Sequence, residues 1–222
     1  DYMNLIHTVQ MTSSDAEISL AAPLTYNGKI TAGVLKYHDL FTIYPFENQL
    51  YVVTLTGKQI KDYLEYSYDK WIQTMESPAD HIMNIRYDEK RGRYSFRNMT
   101  FNFDSGAGFD YEVDVCKPYG EKITIKSMAS GEPFEMEKSY KVALSSYRAN
   151  GGGDLLTEGA GIPKDSLESI VVSKHDDIRS LVFDYYKNST DSSKKITEAT
   201  WKFVPEQFIK IALDRDRKLL FE

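Results

Sequence analysis

The sequence predicts an α+β fold, a mixed β-sheet with helices packed against it, and three observations carry that prediction. Leu50-Tyr51-Val52-Val53-Thr54-Leu55 is dense in β-branched and aromatic residues and reads as a buried strand. It runs directly into Thr56-Gly57-Lys58-Gln59, a capping-box pattern in which Thr56 caps a helix and Gln59 reaches back. Strand-like runs then crowd the middle of the chain, while helical spacing returns at both ends. With 222 residues and 41% apolar content there is enough for a substantial core, expected as a single domain over 1–222.

Taken in order, Leu5, Ile6 and Val9 give a short amphipathic helix, followed by an apolar strand from Ile18 to Ala22. After the strand at Leu50, the spacing of Ile60, Tyr63, Leu64 and Ser67 carries a helix to about Tyr68. Phe101-Asn102-Phe103, Phe109 to Val115, Lys122 to Met128 and Tyr140 to Ser146 read as strands, with a turn at Ser130-Gly131-Glu132-Pro133. Leu167 to Ser173 reads as a further strand. Asp176 opens a helix through Ile178, Leu181, Val182 and Tyr185. The polar, serine-rich segment 187–195 is expected to connect to a terminal strand and helix over 197–220. There Trp201 to Val204 supplies the strand and Pro205 the helix's first turn. The alternating charges from Asp214 to Lys218 read as a solvated face.

Composition narrows the function. A net charge of −6 argues against binding a nucleic-acid polymer, which wants a basic face, but leaves room for a mononucleotide. No apolar run has the length of a membrane span, and the chain opens at Asp1 without a signal pattern. The single cysteine, Cys116, reads as a packed or edge thiol. Four histidines lie far apart, without His-x-His or His-Glu-x-x-His spacing. His175-Asp176-Asp177 fits a helix N-terminus better than a metal site. Neither a Gly-x-Ser-x-Gly elbow nor a phosphate-binding P-loop is present. These are the residues of a binder, not of a catalyst.

Two islands suit a flat, hydrogen-bonding ligand. One is Tyr147-Arg148-Ala149-Asn150-Gly151-Gly152-Gly153-Asp154; the other is Tyr44-Pro45-Phe46-Glu47-Asn48. Bases stack on aromatic rings whatever their identity. Glycines let main-chain N–H groups approach a ligand, and a carboxylate accepts from an amine or a ribose hydroxyl. The plainer alternative is a strand-end turn with a packed tyrosine.

Together the islands resemble a known family. Pro45-Phe46-Glu47-Asn48, a strand, then Thr56-Gly57-Lys58-Gln59-Ile60 is similar to the Pro-Phe-x-Asn and Thr-Gly-x-x-Ile/Leu pattern of the C-terminal domain of the 5′-nucleotidase family, which includes UDP-sugar hydrolases and 2′,3′-cyclic-nucleotide 2′-phosphodiesterases. Tyr147 to Asp154 resembles its second signature, an aromatic residue followed by x-Ala-x-Gly-Gly-Asp. The resemblance implies that this domain binds a nucleoside or nucleotide, with Phe46 and Tyr147 as the two rings around the base. It also implies that Asn48, Arg148, Asn150 and the Gly151-Gly152-Gly153 backbone line the pocket, and that Asp154 matches the substrate-binding acid. One extra glycine leaves the register at Gly153 and Asp154 open.

Two departures matter. The family's Gly-Gly-Gly-Ile-Arg segment, whose arginine meets the phosphate, corresponds here to Leu20-Ala21-Ala22-Pro23-Leu24, without an arginine. Arg148 is a replacement for that charge or, more plainly, an exposed strand-end residue. Tyr147-Arg148-Ala149, with the run Asn102-Phe103-Asp104 and Tyr111-Glu112-Val113-Asp114, leans towards the cyclic-phosphodiesterase branch and Pro45-Phe46-Glu47-Asn48 towards the 5′-nucleotidase branch. The family's Asp-x-His, Gly-Asn-His-Asp/Glu and His-x-His metal motifs also occur nowhere in these residues. No cofactor is therefore expected in this chain; the divalent metal pair is expected in a metallophosphatase domain, in cis or as a separate chain. The chain is expected to be inert alone, and periplasmic or at the cell surface. The other readings are a free-standing nucleoside-binding module and a structural domain.

Overall fold

A computed structural model describes residues 2–25, 28–31, 33–188, 198 and 200–222. Its helices are α1 (Tyr2–Thr12), α2 (Leu40–Ile43), α3 (Gly57–Trp71), α4 (Ser146–Ala149), α5 (Ile178–Lys187) and α6 (Glu206–Phe221). Its strands are β1 (Ile18–Ala21), β2 (Gln49–Thr56), β3 (Ile85–Asp88), β4 (Arg93–Phe96), β5 (Ser105–Ala107), β6 (Phe109–Asp114), β7 (Ile123–Met128), β8 (Ser139–Ser145), β9 (Val171–Asp177) and β10 (Trp201–Val204).

The main sheet is mixed, in the order β5-β1-β8-β2-β9. β1 and β8 run parallel and every other pairing in it is antiparallel. Side chains alternate along β2, and the two faces feed two cores. Tyr51, Val53 and Leu55 pack with Ile60, Tyr63, Leu64 and Tyr68 of α3. Leu50 and Val52 pack with Leu5, Ile6 and Val9 of α1 and Ile178 and Val182 of α5. Helices thus cover both faces, and each fully buried Leu or Val contributes on the order of 1.5–3 kcal/mol. The capping box is as read: Gln59 N–H donates to Thr56 Oγ1 at 3.2 Å and Thr56 N–H to Gln59 Oε1 at 2.9 Å.

A second sheet, β10-β6-β7, brings the C-terminal segment back to the domain. Trp201 stacks on Tyr111 with ring centroids 5.9 Å apart, and the Tyr68 and Tyr111 hydroxyls meet at 2.9 Å. The polar segment expected over 187–195 lies mostly outside the described residues, as does part of the stretch just before β10.

Several expectations need correction. Phe101-Asn102-Phe103 is no strand: Thr100–Asn102 is a 3₁₀ turn, closed by Asn102 N–H to Met99 O at 2.9 Å, while the Phe103 ring stacks on Trp71. Leu167 belongs to a 3₁₀ helix, Lys164–Ile170, that follows Pro163, so the strand starts only at Val171. That strand runs through Asp177, which caps α5 by accepting from Ser180 N–H at 3.0 Å, one residue later than expected. Pro205 precedes α6 as its N-cap. The charges of α6 are not all solvated either. Asp216 is 1% exposed and accepts from Met83 N–H at 2.8 Å and pairs with His81 Nδ1, so α6 is docked through a carboxylate. Cys116 is half-buried, and burial pushes its thiol pKa up, as suits an unreactive thiol.

Candidate functional site

Strand pairing brings the two islands together. β2 begins just after Asn48 and β8 ends just before Ser146; as antiparallel partners they place Leu50 opposite Ser145. Gln49 N–H donates to Ser146 Oγ at 3.1 Å and fastens the junction. Ser145 then caps the single turn of α4, accepting from Arg148 N–H at 3.3 Å, so Tyr147 sits on a helical turn.

Both rings stand at the surface, Phe46 at 44% and Tyr147 at 41% exposure. A third ring lies between them: Phe101 meets Phe46 edge-on at 6.2 Å and Tyr147 at 6.4 Å. The three border a cavity of about 240 Å³ whose other walls are Leu20, Ala21, Ala22 and Leu24, with Gln10, Tyr44, Asn48, Ser145, Asp104 and Arg148 as polar members. The stretch from Leu20 to Leu24 thus gives the cavity an apolar wall.

Arg148 is not an exposed strand-end arginine. It is 3% exposed, and each of its five N–H donors meets a protein acceptor. Nε donates to Asp104 at 3.0 Å, and Nη2 to Asp104 Oδ1 at 2.6 Å and Phe101 O at 2.5 Å. Nη1 donates to Asn102 Oδ1 at 3.0 Å and Gly152 O at 2.9 Å. Burial alone would lower its pKa; the Asp104 carboxylate overrides that and holds it above its ordinary value. Asp104 also accepts from the Tyr63 hydroxyl, whose pKa rises well above the usual phenol range through burial and then through that carboxylate. Arg148 therefore borders the cavity as a structural tie.

The glycines answer to the protein itself. A Cβ on Gly152 would lie 2.4 Å from the Tyr147 ring, and one on Gly153 (φ +75°) 2.6 Å from Arg148 Nη1. Asn150, Gly151, Gly152, Gly153 and Asp154 form a turn behind the two side chains and are absent from the cavity lining. Asp154 is exposed, in a left-handed conformation (φ 63°).

Four contributors were not legible as site residues: Phe101, Asp104, Gln10 and Arg179. Arg179, 4% exposed on α5, donates to Tyr44 O at 3.0 Å, Pro45 O at 3.3 Å and Phe46 O at 3.1 Å. Its guanidinium carbon lies 3.8 Å from the centre of the Phe41 ring. It holds the loop that carries Phe46. Arg179→Ala is expected to lower the unfolding free energy by about 1.5–3 kcal/mol, the worth of hydrogen bonds to a charged group, and to speed amide exchange over 44–48. Arg179→Lys should not restore it, because one ammonium cannot reach three carbonyls as a planar fork does. For Gln10 a signal existed: His7 and Gln10 sit one turn apart among the apolar Ile6 and Val9 of α1.

Gln10 closes a buried chain. Its Oε1 accepts from Ser19 Oγ at 2.7 Å, and Ser19 Oγ lies 2.8 Å from His7 Nδ1. With the Ser19 proton spent on Gln10, Nδ1 carries the His7 proton and Nε2 faces Ser105 Oγ at 3.4 Å. Burial lowers the His7 pKa to about 4, against the opposing field of Asp104, so the ring is neutral. Tyr44 accepts from Asn48 Nδ2 at 3.3 Å, and burial pushes its phenol up to about 12. No group of three or more His, Cys, Asp or Glu that could hold a metal occurs among the described residues, so they do not fit a metal pair. No described helix is long and apolar enough to cross a membrane.

A mixed sheet with helices on both faces, and a ring-bordered cavity at the joined ends of β2 and β8, defines an α+β domain with a candidate ligand site. Residues 1–158 match the family "5′-nucleotidase, C-terminal domain", and the chain belongs to that family. It is 28% identical over 194 residues to the Trifunctional nucleotide phosphoesterase protein YfkN of Bacillus subtilis, covering 81% of this chain and 12% of that protein. To the 2′,3′-cyclic-nucleotide 2′-phosphodiesterase/3′-nucleotidase of Haemophilus influenzae it is 26% identical over 211 residues, covering 85% and 30%. The chain thus spans less than a third of these relatives. Among solved structures it is similar to a Staphylococcus aureus protein assigned to the 5′-nucleotidases and crystallised with α-ketoglutarate (TM-score 0.67, 20% identity, 91% of this chain and 36% of that one). A 5′-nucleotidase precursor from Thermus thermophilus follows at TM-score 0.55 and 20% identity, covering 91% and 35%. At these identities the structural likeness speaks for the fold.

Proposed function

We propose that this chain is the substrate-binding domain of a metal-dependent nucleotide phosphoester hydrolase and holds the base of its ligand between Phe46 and Tyr147. The observation that carries the reading is the exposed ring pair bordering an apolar-walled cavity. Large rings left half in solvent at a cavity mouth cost the fold little and offer stacking to a flat ligand. The cavity suits the uncharged nucleoside, because Arg148 has no N–H left for a phosphate. The phosphate then projects towards a metallophosphatase domain, supplied in cis or as a separate chain, whose metal pair performs the hydrolysis. Family membership supports that partner, and a periplasmic or cell-surface setting goes with it.

Calorimetric titration with adenosine, 3′-AMP and 5′-AMP tests the reading. Saturable binding is expected, weakened by roughly 1–3 kcal/mol for each of Phe46→Ala and Tyr147→Ala, with the unfolding midpoint barely moved. Absence of binding by the folded chain would defeat it. The chain with added divalent metal is expected to turn over neither 5′-AMP nor a 2′,3′-cyclic nucleotide; turnover above the Phe46→Ala background would overturn that part.

A further inference from the structure

Behind the two surface rings, the cavity is edged by side-chain donors that carry no charge. Gln10 is 1% exposed and lines it from α1. Its Oε1 is turned to the Ser19 hydroxyl, which leaves the amide nitrogen for the cavity side, and no acceptor among the described residues takes it. Tyr44, 4% exposed, accepts from Asn48 through its hydroxyl oxygen, while its own proton likewise has no acceptor among the described residues. The nearby cations are committed: Arg148 to Asp104 and its neighbours, Arg179 to three carbonyls. A donor that opens onto a cavity without a protein acceptor is available to a ligand, and two edge one cavity here.

Resting on the nucleoside-binding reading above, we propose that Gln10 and Tyr44 select the heterocycle by donating to its ring edge, favouring a 6-oxopurine over a 6-aminopurine. A 6-oxopurine presents O6 and N7, two acceptors side by side; adenine sets the N6 donor beside N7. Against donors on the protein, the adenine amine leaves donor facing donor and both unsatisfied. Asn48 adds an amide oxygen that suits the N1–H a 6-oxopurine carries and adenine lacks. A site built from fixed polar groups rejects the ligand that fails to pair with them far better than an apolar pocket rejects a change of size.

The test is titration of the full chain with inosine and adenosine, which differ in the 6-substituent and the proton at N1. Inosine is expected to bind tighter by roughly tenfold, about the worth of one good neutral hydrogen bond. Tyr44→Phe, which removes one oxygen and keeps the ring, and Gln10→Leu are each expected to bring that ratio towards one. Equal affinities, or a preference for adenosine, would overturn the proposal while leaving nucleoside binding intact. A preference untouched by Tyr44→Phe and by any folded Gln10 variant would remove these two residues from it. Failure of both ligands to bind would sink the nucleoside reading, and the proposal with it.

Discussion

Replacing Arg148 with alanine is expected to lower the unfolding free energy by about 3–5 kcal/mol, the usual consequence of stripping one partner from a buried ion pair. Asp104, 1% exposed, would be left with the Tyr63 hydroxyl as its side-chain donor. Phe101 O, Asn102 Oδ1 and Gly152 O would lose their donor together. Those acceptors hold the 3₁₀ turn under Phe101 and the turn under Tyr147, whose ring centre lies 5.2 Å from the guanidinium carbon. The same change should therefore loosen the ring pair, raising amide exchange over 100–104 and 147–153. Arg148→Lys is expected to recover only a small part, since one ammonium cannot span four acceptor residues. Replacing the pair as Arg148→Met with Asp104→Leu should lose less than Arg148→Ala alone, because no bare charge then stays buried. Urea unfolding of the three variants decides; a loss below about 1 kcal/mol for Arg148→Ala would show that the tie is not structural.

What the sequence disclosed follows from what is local. β2 and α3 carry their own periodicity and cap, and the fold class rests on them. The motif from Tyr147 to Asp154 stands out in the sequence, but which neighbour its glycines accommodate does not. A run of glycines says that something approaches the backbone closely; here it is the Tyr147 ring and the Arg148 fork. Arg148 itself looks exposed in sequence because its counter-charge, Asp104, stands 44 residues away. Asp216 hides in the same way: its partner His81 is 135 residues distant, and local charge alternation mimics a solvated face. The hairpin of β3 and β4 offers only four residues a strand, with just Ile85 buried, too little for a period-2 pattern. Phe101 reads as a strand residue among aromatics, whereas a capture of its carbonyl by a distant arginine bends the backbone into a turn.

Acidification from pH 6.5 to about 4 is expected to remove about 3 kcal/mol of stability through His7 alone. Burial brings its folded pKa down to about 4, while an unfolded histidine titrates near 6.5. Between those values the unfolded chain holds a proton that the folded chain refuses, so unfolding takes up a proton and stability falls with pH. The two and a half units separating the pKa values, at about 1.4 kcal/mol each, set the size. Above pH 6.5 neither state is protonated and the contribution is complete; below about 4 both are, and no more is lost. The direction follows from the contacts. Nδ1 already donates to Ser19, and a proton on Nε2 would add a buried charge met only by the 3.4 Å contact to Ser105 and the field of Asp104, which burial outweighs. Unfolding free energies of the wild type and His7→Asn, each at pH 7 and pH 4.5, isolate the effect. Asp15, Asp80 and Glu112, whose pKa values are held low by their neighbours, titrate alike in both proteins and cancel. The wild type should lose more than the variant, with a slope steeper by up to one proton; equal slopes would mean that His7 is not held neutral. Since Ser19 links His7 to Gln10 at the cavity wall, nucleoside affinity of the folded wild type is expected to hold through this window and to fall only as pH drops to about 4, where folded His7 takes up its proton, and to hold steadier there in the variant.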